Sequence, residues 1–172
     1  MVLSVERKTQ KGMTLIELVI VIVVLGIIVS VASVRLNNSA AITVAHQADF
    51  FASHVRHLQS LATNWGCELN LNIVSTTSYT VTSRQSLTGK VCNTASAIIK
   101  DPSTLSPFSI TLTDSAQFSA IKSMGFDRLG RPVNPGTGAL LSADTIFDMT
   151  AGGITWRVTV LPVSGSVRLI KL

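Results

Sequence analysis

The chain has 172 residues and a net charge of +5, and 47% of its residues are hydrophobic. This length is enough for one domain with a hydrophobic core, but short for two. Lysine and arginine do not cluster outside the N-terminus, and aromatic residues make up only 5% of the chain. We therefore expect no direct nucleic-acid binding, because that function needs a clustered basic surface.

The N-terminal part of the chain combines a basic segment with a long apolar one. Residues 1–12 are polar and carry Arg7, Lys8 and Lys11, whereas Glu17 is the only ionisable residue of the apolar run 13–34. About 20 apolar residues span a bilayer as a helix, so we predict a single membrane-spanning helix over 13–34. Positive residues stay on the cytoplasmic side, so everything after Val34 is expected to face the periplasm or the exterior.

A helical period continues through residues 35–65, but on one face only. Apolar side chains recur there at steps of three and four residues: Ala41, Val44, Ala48, Phe51, Val55, Leu58 and Ala62. Such a stripe predicts an amphipathic helix. We expect one long helix from about Met13 to about Asn64, with any break at Asn37-Asn38 and a stop at Gly66.

Residues 66–172 are predicted to form a β-rich head. Short runs with strand-like composition or alternation are separated by Gly, Pro, Asn and Ser. They are 67–73, 79–82, 108–112, 118–124, 154–160 and 166–170, the last two as a terminal hairpin. The fold class is therefore α+β, with an N-terminal helix packed on an antiparallel sheet.

The segment Lys11-Gly12-Met13-Thr14-Leu15-Ile16-Glu17, followed by the apolar run, resembles the class III signal of type IV prepilins and type II secretion pseudopilins. The resemblance implies that residues 1–12 are a leader. A prepilin peptidase would cut between Gly12 and Met13 and methylate the new amino group of Met13, where Phe is usual in the family. The implied partners are this peptidase, other pilin subunits, an inner-membrane assembly platform and, before assembly, the lipid bilayer.

Glu17 is the assembly residue that this resemblance implies. A carboxylate in an apolar span is costly unless it is paired or protonated, and its partner would be the amino group of Met13, from its own chain or from a neighbouring subunit. The alternative is that Glu17 lies at the level of the lipid headgroups and ends the span.

Other polar residues are weaker candidates for sites. Cys67 and Cys92 would be unrelated thiols in a reducing compartment, but a disulfide if the head lies outside the cytoplasm. The spacing of His54 and His57 is compatible with a metal site, although these residues and His46 are more simply a solvated helix face.

No catalytic motif supports an enzyme, and no cofactor is expected. Asp127, Asp144 and Asp148 could be drawn as an acid pair, but aspartates between strands usually form turns. A membrane-anchored periplasmic enzyme is therefore only a distant alternative.

The branch of the family is suggested by Gly125-Phe-Asp-Arg-Leu-Gly-Arg-Pro132 and by the last hairpin. These segments resemble the GspH/FimT group and, within it, minor pilins of the mannose-sensitive haemagglutinin (MSHA) pilus. The implied function is a minor subunit that initiates or assembles a type IV pilus. The alternatives are a type II secretion minor pseudopilin, or a filament-borne module that binds a surface, DNA or a secreted substrate.

Overall fold

The computed structural model describes residues 14–36, 39–84, 97–102, 104–113 and 115–172, without the side chains of residues 29–36 and 39–41. The chain divides into two compact units, Met1–Ser39 and Ala40–Leu172. The first unit contains helix α1 (Leu15–Leu36), and the second contains nearly all of helix α2 (Ser39–Trp65) together with the β-strands. The described helices end at Leu36 and begin again at Ser39. Asn37 and Asn38, where the sequence analysis places any break, lie outside the described residues.

Helix α2 ends in a glycine-dependent motif, as the sequence predicts. Gly66 has a φ of +64°. Its N–H donates to the oxygen of Thr63 at 3.3 Å, and the N–H of Cys67 donates to the oxygen of Ala62 at 3.1 Å. These two bonds form a Schellman motif, which needs a residue in the left-handed conformation and therefore favours glycine.

The predicted apolar stripe of α2 is its buried face. Six of the seven stripe residues are fully buried: Val44, Ala48, Phe51, Val55, Leu58 and Ala62. The side chain of the seventh, Ala41, lies outside the described part. Amphipathic periodicity therefore identified the core-facing side of this helix correctly.

Nine strands form two antiparallel sheets in the described part of the chain. They are β1 (Leu69–Ser75), β2 (Ser78–Ser83), β3 (Ser109–Thr111), β4 (Gln117–Phe118), β5 (Ser123–Phe126), β6 (Pro132–Val133), β7 (Thr145–Ala151), β8 (Ile154–Val160) and β9 (Val167–Lys171). One sheet has the order β3-β2-β1-β5-β6 and the other β4-β7-β8-β9. The α+β prediction is confirmed, since α2 packs on antiparallel sheets.

Two strand predictions were wrong. The run 118–124 is not one strand but the end of β4 and the start of β5, which belong to different sheets. Strand β7 was missed altogether, although it pairs with β8 along its whole length, from Thr145 opposite Val160 to Ala151 opposite Ile154. The final hairpin, β8–β9, is confirmed.

Phe51 joins the helix to both sheets. Its ring lies 5.1 Å from Tyr79 of β2, 5.0 Å from Phe118 of β4 and 5.3 Å from Phe147 of β7, each in an edge-to-face arrangement. Aromatic pairs favour this geometry. One helix residue thus sits at the centre of the core that the two sheets share.

Candidate assembly segment

Helix α1 begins with a side-chain cap. The main-chain N–H of Glu17 donates to Oγ1 of Thr14 at 3.3 Å, and the N–H of Leu18 donates to the oxygen of Thr14 at 3.2 Å. Thr14 is therefore the N-cap and Glu17 the third helical residue, the spacing of a capping box. The sequence analysis missed this role of Thr14, although the Thr-x-x-Glu pattern before an apolar run signals it.

Between Leu15 and Ile28, the surface of α1 is apolar on every side apart from Glu17. All its described side chains, from Leu15 to Ile28, are exposed, and the large apolar ones are 42–80% exposed. Full burial of a Leu, Ile or Val side chain is worth about 1.5–3 kcal/mol. A helix with this surface therefore gains stability from an apolar environment or from neighbouring helices.

Glu17 is the one acidic side chain of α1, and it lies in the first turn. A carboxylate at this end of a helix is favoured by the partial positive charge of the free N–H groups. Gly12 and Met13, the predicted cleavage and methylation residues, lie outside the described residues. The structure therefore places Glu17 but does not test its pairing with Met13.

Among the residues that the structure describes, no helix combines the length and the apolar character needed to cross a membrane. Insertion of residues 13–34 as a single span stays a prediction.

The two predicted cysteine sites differ in how far the structure describes them. Cys67 is buried directly after α2, and Cys92 lies outside the described residues. The described part of the chain holds no free cysteine. The Cys67–Cys92 disulfide remains a prediction.

The histidines of α2 have different environments. His46 and His57 are exposed, as a solvated face predicts, but His54 is half-buried and this interpretation was wrong for it. Its Nδ1 lies 2.6 Å from the hydroxyl of Tyr79, which is fully buried. Burial lowers the pKa of His54, an effect that the charge of Asp101 partly opposes. The described residues contain no group of three or more potential metal ligands.

Asp127 and Asp148 have structural partners. Asp127 forms a turn: its Oδ1 accepts the N–H groups of Leu129 and Arg131, both at 2.9 Å. Asp148 lies within β7 rather than in a loop, and both its oxygens accept hydrogen bonds from Arg157 directly opposite on β8, at 2.7 and 2.8 Å. The bond from Arg157 lowers the pKa of Asp148.

Known proteins resemble this chain in its N-terminal segment and in its fold. Residues 7–33 match the model of the prokaryotic N-terminal methylation motif. No curated protein matches the chain. Its fold is similar to a solved structure of the minor pseudopilin EpsH from the type 2 secretion system of Vibrio cholerae. The TM-score is 0.51 at 18% sequence identity, over 75% of this chain and 97% of that one.

The chain therefore carries a prokaryotic N-terminal methylation motif, and its fold is similar to that of a minor pseudopilin. Pilins and pseudopilins, the proteins that this motif and this fold resemble, are structural subunits and not enzymes. They are processed by a prepilin peptidase, anchored in a membrane and then assembled with other pilin-like subunits into a filament.

Proposed function

We propose that this chain is a minor pilin that initiates or assembles a type IV pilus of the MSHA kind, in the position of the minor pilin C. The leader 1–12 is removed between Gly12 and Met13, and the new amino group of Met13 is methylated. Residues 13–34 hold the subunit in the bacterial inner membrane, with the N-terminus cytoplasmic and the head periplasmic, until they enter the filament core.

The observation that carries this proposal is the surface of α1. A helix that is apolar all round, with one carboxylate in its first turn, is unsuited to water, and its large side chains are at least 42% exposed in the single chain. The bilayer covers such a helix before assembly, and the equivalent helices of neighbouring subunits cover it afterwards.

Glu17 sets the position of each subunit relative to the next. In the filament core its carboxylate pairs with the amino group of a neighbour's Met13, because a buried charge needs a partner. The cap that Thr14 provides holds Glu17 in the first turn of α1. The lipid-headgroup alternative predicts no dependence of assembly on Glu17.

A type II secretion minor pseudopilin is the second candidate. The similarity of the fold to EpsH favours it. Phe126, Gly130 and Pro132 with the last hairpin resemble the GspH/FimT group, which contains minor pilins as well as pseudopilins, and the resemblance of these segments to MSHA minor pilins supports the first candidate. A filament-borne module that binds a surface, DNA or a secreted substrate would use the same N-terminal segment and differ only in the head.

The test is a fractionation of cells that carry Glu17→Ala, with the membrane and sheared-fibre pools blotted separately. We expect normal cleavage and membrane insertion, since alanine is easier to bury than a carboxylate. Entry into fibres should fall sharply, because an unpaired buried charge costs about 3–5 kcal/mol.

Asp49→Ala is the matched control, because Asp49 is an exposed carboxylate on α2 and should have no effect on entry into fibres. Equal amounts of wild type and Glu17→Ala in the fibre pool would refute the pairing. Wild type found only in fibres that disappear when type II secretion genes are deleted would favour the pseudopilin.

A further inference from the structure

Strand β9 forms one edge of the four-stranded sheet and is the longest edge strand described. The other edges are β3, β4 and β6, which have 3, 2 and 2 residues, whereas β9 has 5. Long edges can pair with another chain, so proteins usually keep edge strands short or cover them.

The hydrogen bonds to β8 show which main-chain groups of β9 point outward. The N–H of Leu161 donates to the oxygen of Ser166 at 2.9 Å, and the N–H of Leu172 donates to the oxygen of Thr155 at 3.0 Å. Inward-bonding residues alternate along an antiparallel strand, so they are the even-numbered ones from 166 to 172. The N–H and C=O groups of residues 167, 169 and 171 therefore point away from β8.

Only the beginning of this outer edge is covered in the described structure. Arg56 of α2 donates to the oxygen of Val167 at 3.3 Å. In the described part of the chain, no bond reaches the outward groups of Leu169 and Lys171. Ile170 and Leu172 beside them are 50% and 57% exposed.

The charges along this edge have one sign. Arg168 and Lys171 lie on β9, and Arg56 lies at its start, whereas residues 149–172 contain no Asp or Glu. Cations on an edge strand also hinder unspecific pairing. Two copies of β9 placed side by side would bring together two such sets of cations, which opposes pairing of the chain with itself.

We infer that the outer edge of β9 is a docking site for an acidic extended segment of a partner protein, which adds a strand to the sheet. The main-chain groups of Leu169 and Lys171 supply the hydrogen bonds of this mode of recognition. Carboxylates of the partner pair with Arg168 and Lys171, so charge selects the partner and excludes a second copy. The inference concerns the head and does not depend on how α1 assembles.

The test uses the isotope-labelled full chain in detergent micelles and, as the probe, a synthetic peptide of valine and glutamate with glutamates on both faces of the added strand, since Arg168 and Lys171 lie on opposite faces of the sheet. Amide hydrogen exchange and chemical shifts are followed along β9. We expect the peptide to slow exchange at Leu169 and Lys171, whose N–H groups point outward, more than at Ile170, whose N–H already bonds to β8. A peptide with lysine in place of glutamate should bind at least about tenfold more weakly.

Two variants separate the hydrogen bond from the charge. Lys171→Pro removes an outward N–H that β8 does not use, a position where an edge strand tolerates proline, whereas Lys171→Ala keeps the N–H and removes the charge. Lys171→Pro should bind about tenfold more weakly than Lys171→Ala, the effect of roughly one hydrogen bond, with unchanged α2 and β8 signals in both.

Three results would overturn the inference. The first is equal binding of the acidic and basic peptides, and the second is no protection of Leu169 and Lys171 by the acidic peptide. The third is protection that rises with protein concentration in the absence of peptide, which would mean that β9 pairs with a second copy.

Discussion

The side-chain amide of Gln59 on α2 donates to the main-chain oxygen of Gly130 at 2.8 Å. The same nitrogen donates to the oxygen of Ser164 at 2.9 Å. One glutamine therefore holds the turn between β5 and β6 against the turn between β8 and β9, although these strands belong to different sheets. A Cβ on Gly165 would lie 2.5 Å from this nitrogen and 2.9 Å from the oxygen of Gly130.

We therefore expect Gly165→Ala to destabilise the protein by about 1–3 kcal/mol beyond the cost of its backbone conformation, as overpacking does. Gly153→Ala is the matched control, because Gly153 also has a positive φ, +78°, but a Cβ added there would meet nothing within 4 Å. Chemical denaturation of the two variants in detergent measures the difference. Equal free energies of unfolding would mean that the contact at Gln59 is unimportant.

The contact of Gln59 with this turn also gives a structural role to the motif Gly125–Pro132, which the sequence analysis singled out. Phe126 is fully buried, Gly130 has a φ of +76° and lies against Gln59 and Thr63, and Pro132 begins β6. The sequence shows the motif, but the partner on α2 lies 71 residues from Gly130. Local patterns do not contain such distant contacts, so the turn was predictable and its anchoring was not.

Phe51→Ala should remove about 3–5 kcal/mol from the free energy of unfolding, because it leaves a cavity between α2 and both sheets. Phe50→Ala is the control, because the neighbouring Phe50 is 41% exposed and its ring centroid lies 4.1 Å from that of His54. We expect it to cost less than about 1 kcal/mol. Similar losses for the two variants in thermal denaturation would contradict the central position of Phe51.

Stability should depend on pH through His54, because burial lowers its pKa below the ordinary value of 6.5. The unfolded chain then binds a proton more readily than the folded one, so the free energy of unfolding falls as the pH drops below about 6.5 and levels off below the folded pKa. His54→Gln should remove this part of the dependence, and His46→Gln, at an exposed position, should keep it. Parallel profiles for wild type and His54→Gln would show that His54 is not the group concerned.

We predict that Cys67 and Cys92 form a disulfide in protein made in a host that exports the head to the periplasm. The bond would close a loop of 26 residues, and closing such a loop stabilises the folded state by roughly 3 kcal/mol in the chain-entropy model. Labelling of thiols under denaturing, non-reducing conditions measures the bond, with a reduced sample as the positive control. Two labelled thiols in the non-reduced sample would also argue against a periplasmic head.

Periodicity predicted the helices and most strands of this chain, and the failures have physical causes. The stripe of α2 was clear because one face packs on the sheets. Strand β7 was missed because Asp148 was interpreted as a turn former, whereas Arg157 opposite it on β8 satisfies its carboxylate. The run 118–124 was merged into one strand because nothing local shows that the chain changes sheets there. In the assembly segment, the motif predicted Glu17, which the structure places in the first turn of α1. Its pairing with the amino group of Met13 stays a proposal, because Met13 lies outside the described residues.

The intact mass of the protein extracted from sheared fibres tests the central claim most directly. The account predicts a chain that begins at Met13 and carries one methyl group on its amino terminus. It also predicts that Gly12→Glu blocks the cut, because a bulky charged residue replaces the glycine at the scissile bond. Wild-type protein that keeps residues 1–12, or that is absent from the fibres altogether, would contradict the assignment of this chain as a processed filament subunit.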